Sequence, residues 1–136
     1  MTKPVAEGGC LCGAIRYRIM ASPQKRSICH CRSCRRGAGA PTVAWLVMNT
    51  SDVVFHKGAP TSYESSPGIH RTFCNRCGTS LTWHENDTDT TDVTTATLDD
   101  PNAFPPLVEI WTEHKINWES LNGKIPTYPG SSRGED

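Results

Sequence analysis

Seven cysteines are the residues of this chain best suited to chemistry: Cys10, Cys12, Cys29, Cys31, Cys34, Cys74 and Cys77. An odd number, with no apolar leader in the first nine residues, fits a disulfide framework poorly. Thiols kept reduced in such clusters bind metal or react, so the expected compartment is the cytoplasm and the expected cofactor is zinc.

The cysteines divide by spacing. In Cys74-Asn-Arg-Cys77-Gly78 a Cys-x-x-Cys turn lets two sulfurs converge on one ion. Cys10-Leu-Cys12-Gly13 is a second pair of similar form. A glycine directly after each pair predicts a sharp turn at positive φ, which glycine adopts without steric cost. Together Cys10, Cys12, Cys74 and Cys77 can supply the four thiolates of a closed, structural zinc site. Such an ion clamps the N-terminal segment to a central hairpin, and its binding free energy becomes folding free energy. The remaining three, Cys29-His30-Cys31-Arg32-Ser33-Cys34, can meet at one ion and leave a position for water or an incoming thiol, the mark of a catalytic zinc. Two alternatives stay open at this level. His30 can close the second site as a fourth ligand, although in an extended stretch its ring points away from its neighbours. Thiolates also suit iron–sulfur clusters, although the spacing matches neither common ferredoxin pattern.

Lys25, Arg26, Arg32, Arg35 and Arg36 surround the second cluster in sequence. Arginines there can grip a substrate carboxylate through two bonds. Arg32, Arg35 and Arg36 are therefore the candidate substrate-binding residues. The Lys25-to-Arg36 patch alternatively serves a zinc-stabilised binding module without catalysis. A formal net charge of zero weighs against nucleic acid as the partner. No catalytic acid or base stands out. The four tryptophans, Trp45, Trp83, Trp111 and Trp118, read as packing residues, with a pocket role open to one of them. Tyr63 and Ser65-Ser66 are loop residues that become pocket donors if they approach the second cluster.

The elements that must position these residues read as short strands. Ile15, Tyr17 and Ile19 alternate with arginines, and Val43 to Met48 is a continuous apolar run suited to a doubly buried strand. Val53 to His56, Arg71 to Phe73, Leu81 to Trp83, Val93 to Leu98 and Val108 to Trp111 complete the set. Arg32 to Arg36 suits a single helical turn. Glu85 to Asp92 reads as an exposed acidic loop, with an acidic metal or partner site as the alternative. At 136 residues, with 11 Gly and 10 Pro, this is one loop-rich domain with a thin core and no run long enough to span a membrane. The expected division is an arm at 1–7, a zinc domain at 8–129 and a disordered tail at 130–136.

Three stretches resemble the glutathione-dependent formaldehyde-activating enzyme family, also called the centromere protein V/GFA domain. They are Gly8-Gly-Cys-Leu-Cys-Gly-Ala-Ile-Arg-Tyr17, Cys29-His-Cys-Arg-Ser-Cys-Arg35 and Arg71-Thr-Phe-Cys-Asn-Arg-Cys-Gly-Thr-Ser80. Thr97 to Pro101 and the stretch from Trp111 through Lys115 and Trp118 to Pro126 extend the likeness, which covers Gly8 to Pro129. The resemblance implies an all-β, Mss4-like (β-tent) fold of several short bent sheets. It implies a structural zinc on Cys10, Cys12, Cys74 and Cys77 and a catalytic zinc on Cys29, Cys31 and Cys34. The implied activity joins glutathione to formaldehyde as S-hydroxymethylglutathione, a carbon–sulfur lyase-type reaction, with glutathione or a similar small thiol and a small aldehyde as partners. Two positions depart from the family. The Asp92 to Leu98 strand is more polar than usual, and Glu109 stands where many relatives carry His.

Overall fold

The computed structural model describes residues 3–132. In chain order they form β1 (Ala6–Gly9), β2 (Arg16–Ile19), β3 (Lys25–Cys29), α1 (Arg32–Ala38), β4 (Val43–Asn49), β5 (Val53–Lys57), β6 (Thr61–Ser66), β7 (Ile69–Phe73), β8 (Ser80–Glu85), β9 (Thr90–Thr94) and β10 (Val108–Ile110). The fold is all-β with one short helix. Its sheets are two: β1-β2-β5, and the seven-stranded β10-β3-β4-β9-β8-β7-β6. Within the large sheet β10 runs parallel to β3, and the neighbouring strands pair antiparallel.

Strand alternation sends side chains to opposite faces, and on β4 both faces are occupied. Leu46 and Met48 join the main core with Ile15, Tyr17, Ile19, Leu81, Val93 and Leu98, between the two sheets. Val43 and Trp45 face the other way, into a smaller cluster with Cys29 and Cys34. The apolar run in β4 follows from this, because β3 and β9 cover its edges while two clusters cover its faces. Cys10 and Cys74 belong to the main core and Cys29 and Cys34 to the smaller one. Each half of the cysteine set thus sits in its own apolar layer.

The Val93–Leu98 strand expected from β-propensity is not continuous. β9 stops at Thr94, and Thr95–Thr97 form a turn of 3-10 helix. Side-chain hydroxyls offer the backbone another partner there: Thr97 Oγ1 donates to the Thr94 carbonyl at 2.8 Å, and Thr94 Oγ1 donates to the Ser80 carbonyl at 3.0 Å. The turn brings Leu98 into the main core. Helix α1 is longer than the single turn expected, running on to Ala38.

At the ends, β1 begins at Ala6, inside the segment 1–7 read as an arm. The Gly130 carbonyl accepts from the Trp111 amide at 2.8 Å, and Ser131 and Ser132 border a cavity described below. Residues 133–136 of the expected tail lie outside the described residues.

Candidate metal centres

Tetrahedral zinc with Zn–S bonds of about 2.3 Å requires sulfurs about 3.8 Å apart. Cys10, Cys12, Cys74 and Cys77 bring four sulfurs within 4.8 Å of one another. Cys10 and Cys12 are separated by 3.6 Å, and Cys12 and Cys74 by 3.9 Å. The set therefore fits one zinc. Two turns deliver it. One lies between β1 and β2, and the other between β7 and β8. Gly13 and Gly78 follow the two pairs at φ 79° and φ 82°, the left-handed turns expected from sequence. The turns are tied to each other as well, since the Leu11 amide donates to Thr79 Oγ1 at 3.0 Å. The Thr79 hydroxyl, then its amide, draw the Cys77 thiol down to about 5, which favours the thiolate a metal needs.

Cys29, Cys31 and Cys34 bring three sulfurs within 4.8 Å of one another. Cys29 ends β3, and Cys31 caps α1, its sulfur accepting from the Cys34 amide at 3.3 Å. Hydrogen bonds from the Cys29 and Cys34 thiols hold Cys31 well below the ordinary thiol range, and contact with Cys31 pushes Cys29 up. The backbone N–H of Cys34 adds to this by favouring negative charge on the Cys31 sulfur. These residues fit a metal with three protein ligands.

His30 does not join this group. Its Nε2 lies 2.7 Å from Glu109 Oε1, and both residues are 1% exposed. The other carboxylate oxygen of Glu109 accepts from the Asn122 amide at 2.6 Å. Glu109 thereby supports the histidine between two cysteines and holds the 122–128 segment against β10. Hydrogen bonds to carboxylates on metal-site surroundings orient the ligands.

Two cavities meet at Cys34, Trp45 and Arg71. One, of about 290 Å³, has an apolar lining that includes Val43, Tyr63 and Phe73. The other, of about 420 Å³, reaches all three cysteines and is bordered by Trp83, Trp111, Lys25, Glu85 and Asp92. Three of the four tryptophans are thus lining residues, whereas Trp118 is exposed. Trp111 takes the left-handed backbone conformation at φ 57°, held by the Gly130 carbonyl and stacked on His114 at 5.9 Å. Glu85, Thr88, Thr90 and Asp92, from the stretch read as an acidic loop, border the same cavity.

The basic candidates separate. Lys25 borders the larger cavity, but Arg32, Arg35 and Arg36 lie on α1 and line neither one. The cation at the cysteines is Arg71, from β7. Its Nη2 lies 3.9 Å from Cys34 Sγ, and its Nε is buried without a hydrogen-bond partner. Arg71 is absent from the candidates drawn from sequence, because it comes into place by strand pairing and not by proximity along the chain.

The family model described as glutathione-dependent formaldehyde-activating enzyme matches residues 5–114. The chain belongs to this family. The chain is similar to an uncharacterized lyase of Schizosaccharomyces pombe, 36% identical over 78 residues. That match takes in 57% of this chain and 56% of the yeast protein, a little over half its length. A Halomonas elongata protein, provisionally named glutathione-dependent formaldehyde-activating enzyme, is 30% identical across 95% of this chain and 92% of its own. A solved structure from Rhodobacter sphaeroides shares the fold at a TM-score of 0.57 and 19% identity, over 89% of this chain and 98% of that one. Among the described residues no helix is long and apolar enough to cross a membrane.

Proposed function

We propose that this chain is a two-zinc carbon–sulfur lyase-type enzyme that adds glutathione, or a similar small thiol, to formaldehyde or a related small aldehyde. Cys10, Cys12, Cys74 and Cys77 hold the structural ion, and Cys29, Cys31 and Cys34 hold the reactive one. The observation that carries the reading is the second cluster: three sulfurs within 4.8 Å, opening onto a cavity of about 420 Å³ beside the Arg71 cation.

Zinc bound at this trio lowers the pKa of a coordinated thiol, so that the thiolate is available at neutral pH. The chain's own residues supply the remainder. The Arg71 guanidinium favours negative charge on sulfur near Cys34. Trp45, Trp83 and Trp111 displace water from the cavity, which strengthens that attraction. In the reaction the glutathione sulfur bonds to the aldehyde carbon, the carbonyl electron pair moves to oxygen, and that oxygen takes a proton from water. The proton of the thiol leaves to solvent.

The test uses purified zinc-loaded protein with glutathione and formaldehyde, S-hydroxymethylglutathione being followed by exchange-resolved NMR. The expected result is interconversion faster than the spontaneous reaction, falling about tenfold or more in Arg71→Met as a charge-assisted contact is lost. A rate equal to the spontaneous one, with both ions present, refutes the reading.

A further inference from the structure

Three charged side chains of the larger cavity fall on one line across the seven-stranded sheet. Tyr63 on β6 opposes Arg71 on β7, which opposes Trp83 on β8. Trp83 opposes Asp92 on β9, Asp92 opposes Val47 on β4, and Val47 opposes Lys25 on β3. Directly opposed residues project from the same face of a sheet. That face therefore carries a positive, a negative and a positive group in succession, with Trp83 and Val47 as the apolar spacers. Each charge is two strand spacings from the next, about 10 Å at the backbone. All five residues from Arg71 to Lys25 border the cavity that reaches the three cysteines.

The two ends of this row have different surroundings. Arg71 is committed to sulfur, lying 3.9 Å from Cys34 Sγ. Lys25 is exposed and lies four residues before Cys29 on the same strand and the same face, about 13 Å away along β3. Asp92 lies between them, with Glu85 bordering the cavity nearby as a second carboxylate. A purely anionic thiol would meet these carboxylates as well as the lysine. A group bearing an ammonium and a carboxylate on one carbon would meet an opposite charge on each side, over the apolar floor of Val47.

We propose that Asp92 and Lys25 recognise the α-amino-acid head of the thiol substrate, Asp92 taking its ammonium and Lys25 its carboxylate, while the sulfur lies at Cys29, Cys31 and Cys34. This rests on the thiol-addition reading and deepens it. The γ-glutamyl end of glutathione is such a head, joined to the sulfur-bearing residue through one amide link. Selection among thiols then comes from the end of the molecule remote from the reacting sulfur. A thiol lacking the head, such as 2-mercaptoethanol, loses both contacts.

The test is calorimetric binding of S-methylglutathione, and of the same compound acetylated on its α-amino group, to zinc-loaded protein. The variants are Asp92→Asn and Lys25→Met. Each is expected to weaken S-methylglutathione binding about tenfold or more, as is N-acetylation, since a charge-assisted contact is lost each time. N-acetylation is expected to cost little further in Asp92→Asn, because both changes remove the same contact. The KM for glutathione is a second readout, expected to rise by a similar factor in each variant with kcat within about twofold. Unchanged binding and KM in both variants, with the formaldehyde reaction still accelerated, overturns the head-group assignment alone. Absence of both binding and acceleration in the parent protein overturns the thiol-addition reading and the assignment with it. Lys25 is exposed, so loss of fold cannot account for its effect.

Discussion

Replacing Glu109 with alanine tests whether the buried His30–Glu109 pair fixes the second cysteine cluster. Glu109 is 1% exposed and accepts two hydrogen bonds, at 2.7 Å from His30 and 2.6 Å from the Asn122 amide. Alanine leaves a buried amide and a buried imidazole nitrogen without partners. Leaving a buried polar group unsatisfied costs about 1–3 kcal/mol, and two are left so here. A loss of about 4 kcal/mol is the expected result, a large share of the roughly 5–15 kcal/mol available to a domain. With a urea m-value of about 2 kcal/mol/M, the midpoint falls by about 2 M. Glu109→Gln retains the shape and an acceptor and should lose about half as much or less. Because His30 sits between Cys29 and Cys31, the three-cysteine cluster should also lose its metal first. Weakening of about 10- to 100-fold is the scale for removing a support behind metal ligands. Urea unfolding at one fixed free zinc concentration, with competitive zinc titration, reads both quantities. A midpoint within about 0.5 M of the parent for Glu109→Ala, with zinc retention unchanged, refutes the reasoning.

The two clusters should respond differently to single substitutions. Cys31→Ser should lower the zinc content from two ions to one with the circular dichroism spectrum retained, whereas Cys74→Ser, at a residue 1% exposed in the main core, should abolish cooperative unfolding. Loss of fold in both variants would make both sites structural. Stability at high pH should report Tyr17, whose burial raises its phenol to about 12 against the action of its Thr97 hydrogen bond. A raised folded-state pKa contributes stability that is complete below the unfolded value of about 10 and lost as pH rises toward 12, about 3 kcal/mol in all. Tyr17→Phe should remove that decline, as measured by urea midpoints at pH 9.5 and 11.5, and an equal decline in both proteins contradicts the assignment.

What could be read from sequence was chemistry carried by neighbours along the chain. Cys-x-Cys, Cys-x-x-Cys and the glycines after them are local, and the division of sulfurs into four and three follows from spacing that short turns preserve. Strands with apolar alternation, such as β2, were legible for the same reason. β3 was not, because Lys25 and Arg26 interrupt its pattern while lying on opposite faces of one strand. β6 is an exposed edge strand of Thr, Ser, Glu and one exposed Tyr, so it buries too little to show a period. The cavity residues depend on register. Arg71, Asp92 and Lys25 lie on three different strands and meet only after the pairings of β3, β4, β9, β8 and β7 are made. Proximity in sequence pointed instead to the arginines of α1, which follow the cysteines directly but line neither cavity.

The first cluster joins residues 62 positions apart, from Cys12 to Cys74, whereas the second is complete within six residues. Chains emerge from the ribosome at about 5–20 residues per second, so Cys12 waits about 3–12 s for Cys74. The three-cysteine site becomes available to metal first and the four-cysteine site last. During synthesis the site with fewer ligands is thus the early acceptor, and the closing of the other marks the moment when the N-terminal turn can dock. On the proposed two-zinc reading, metal supply at that moment bears on when the two sheets join, a kinetic part for the ion beside its resident one.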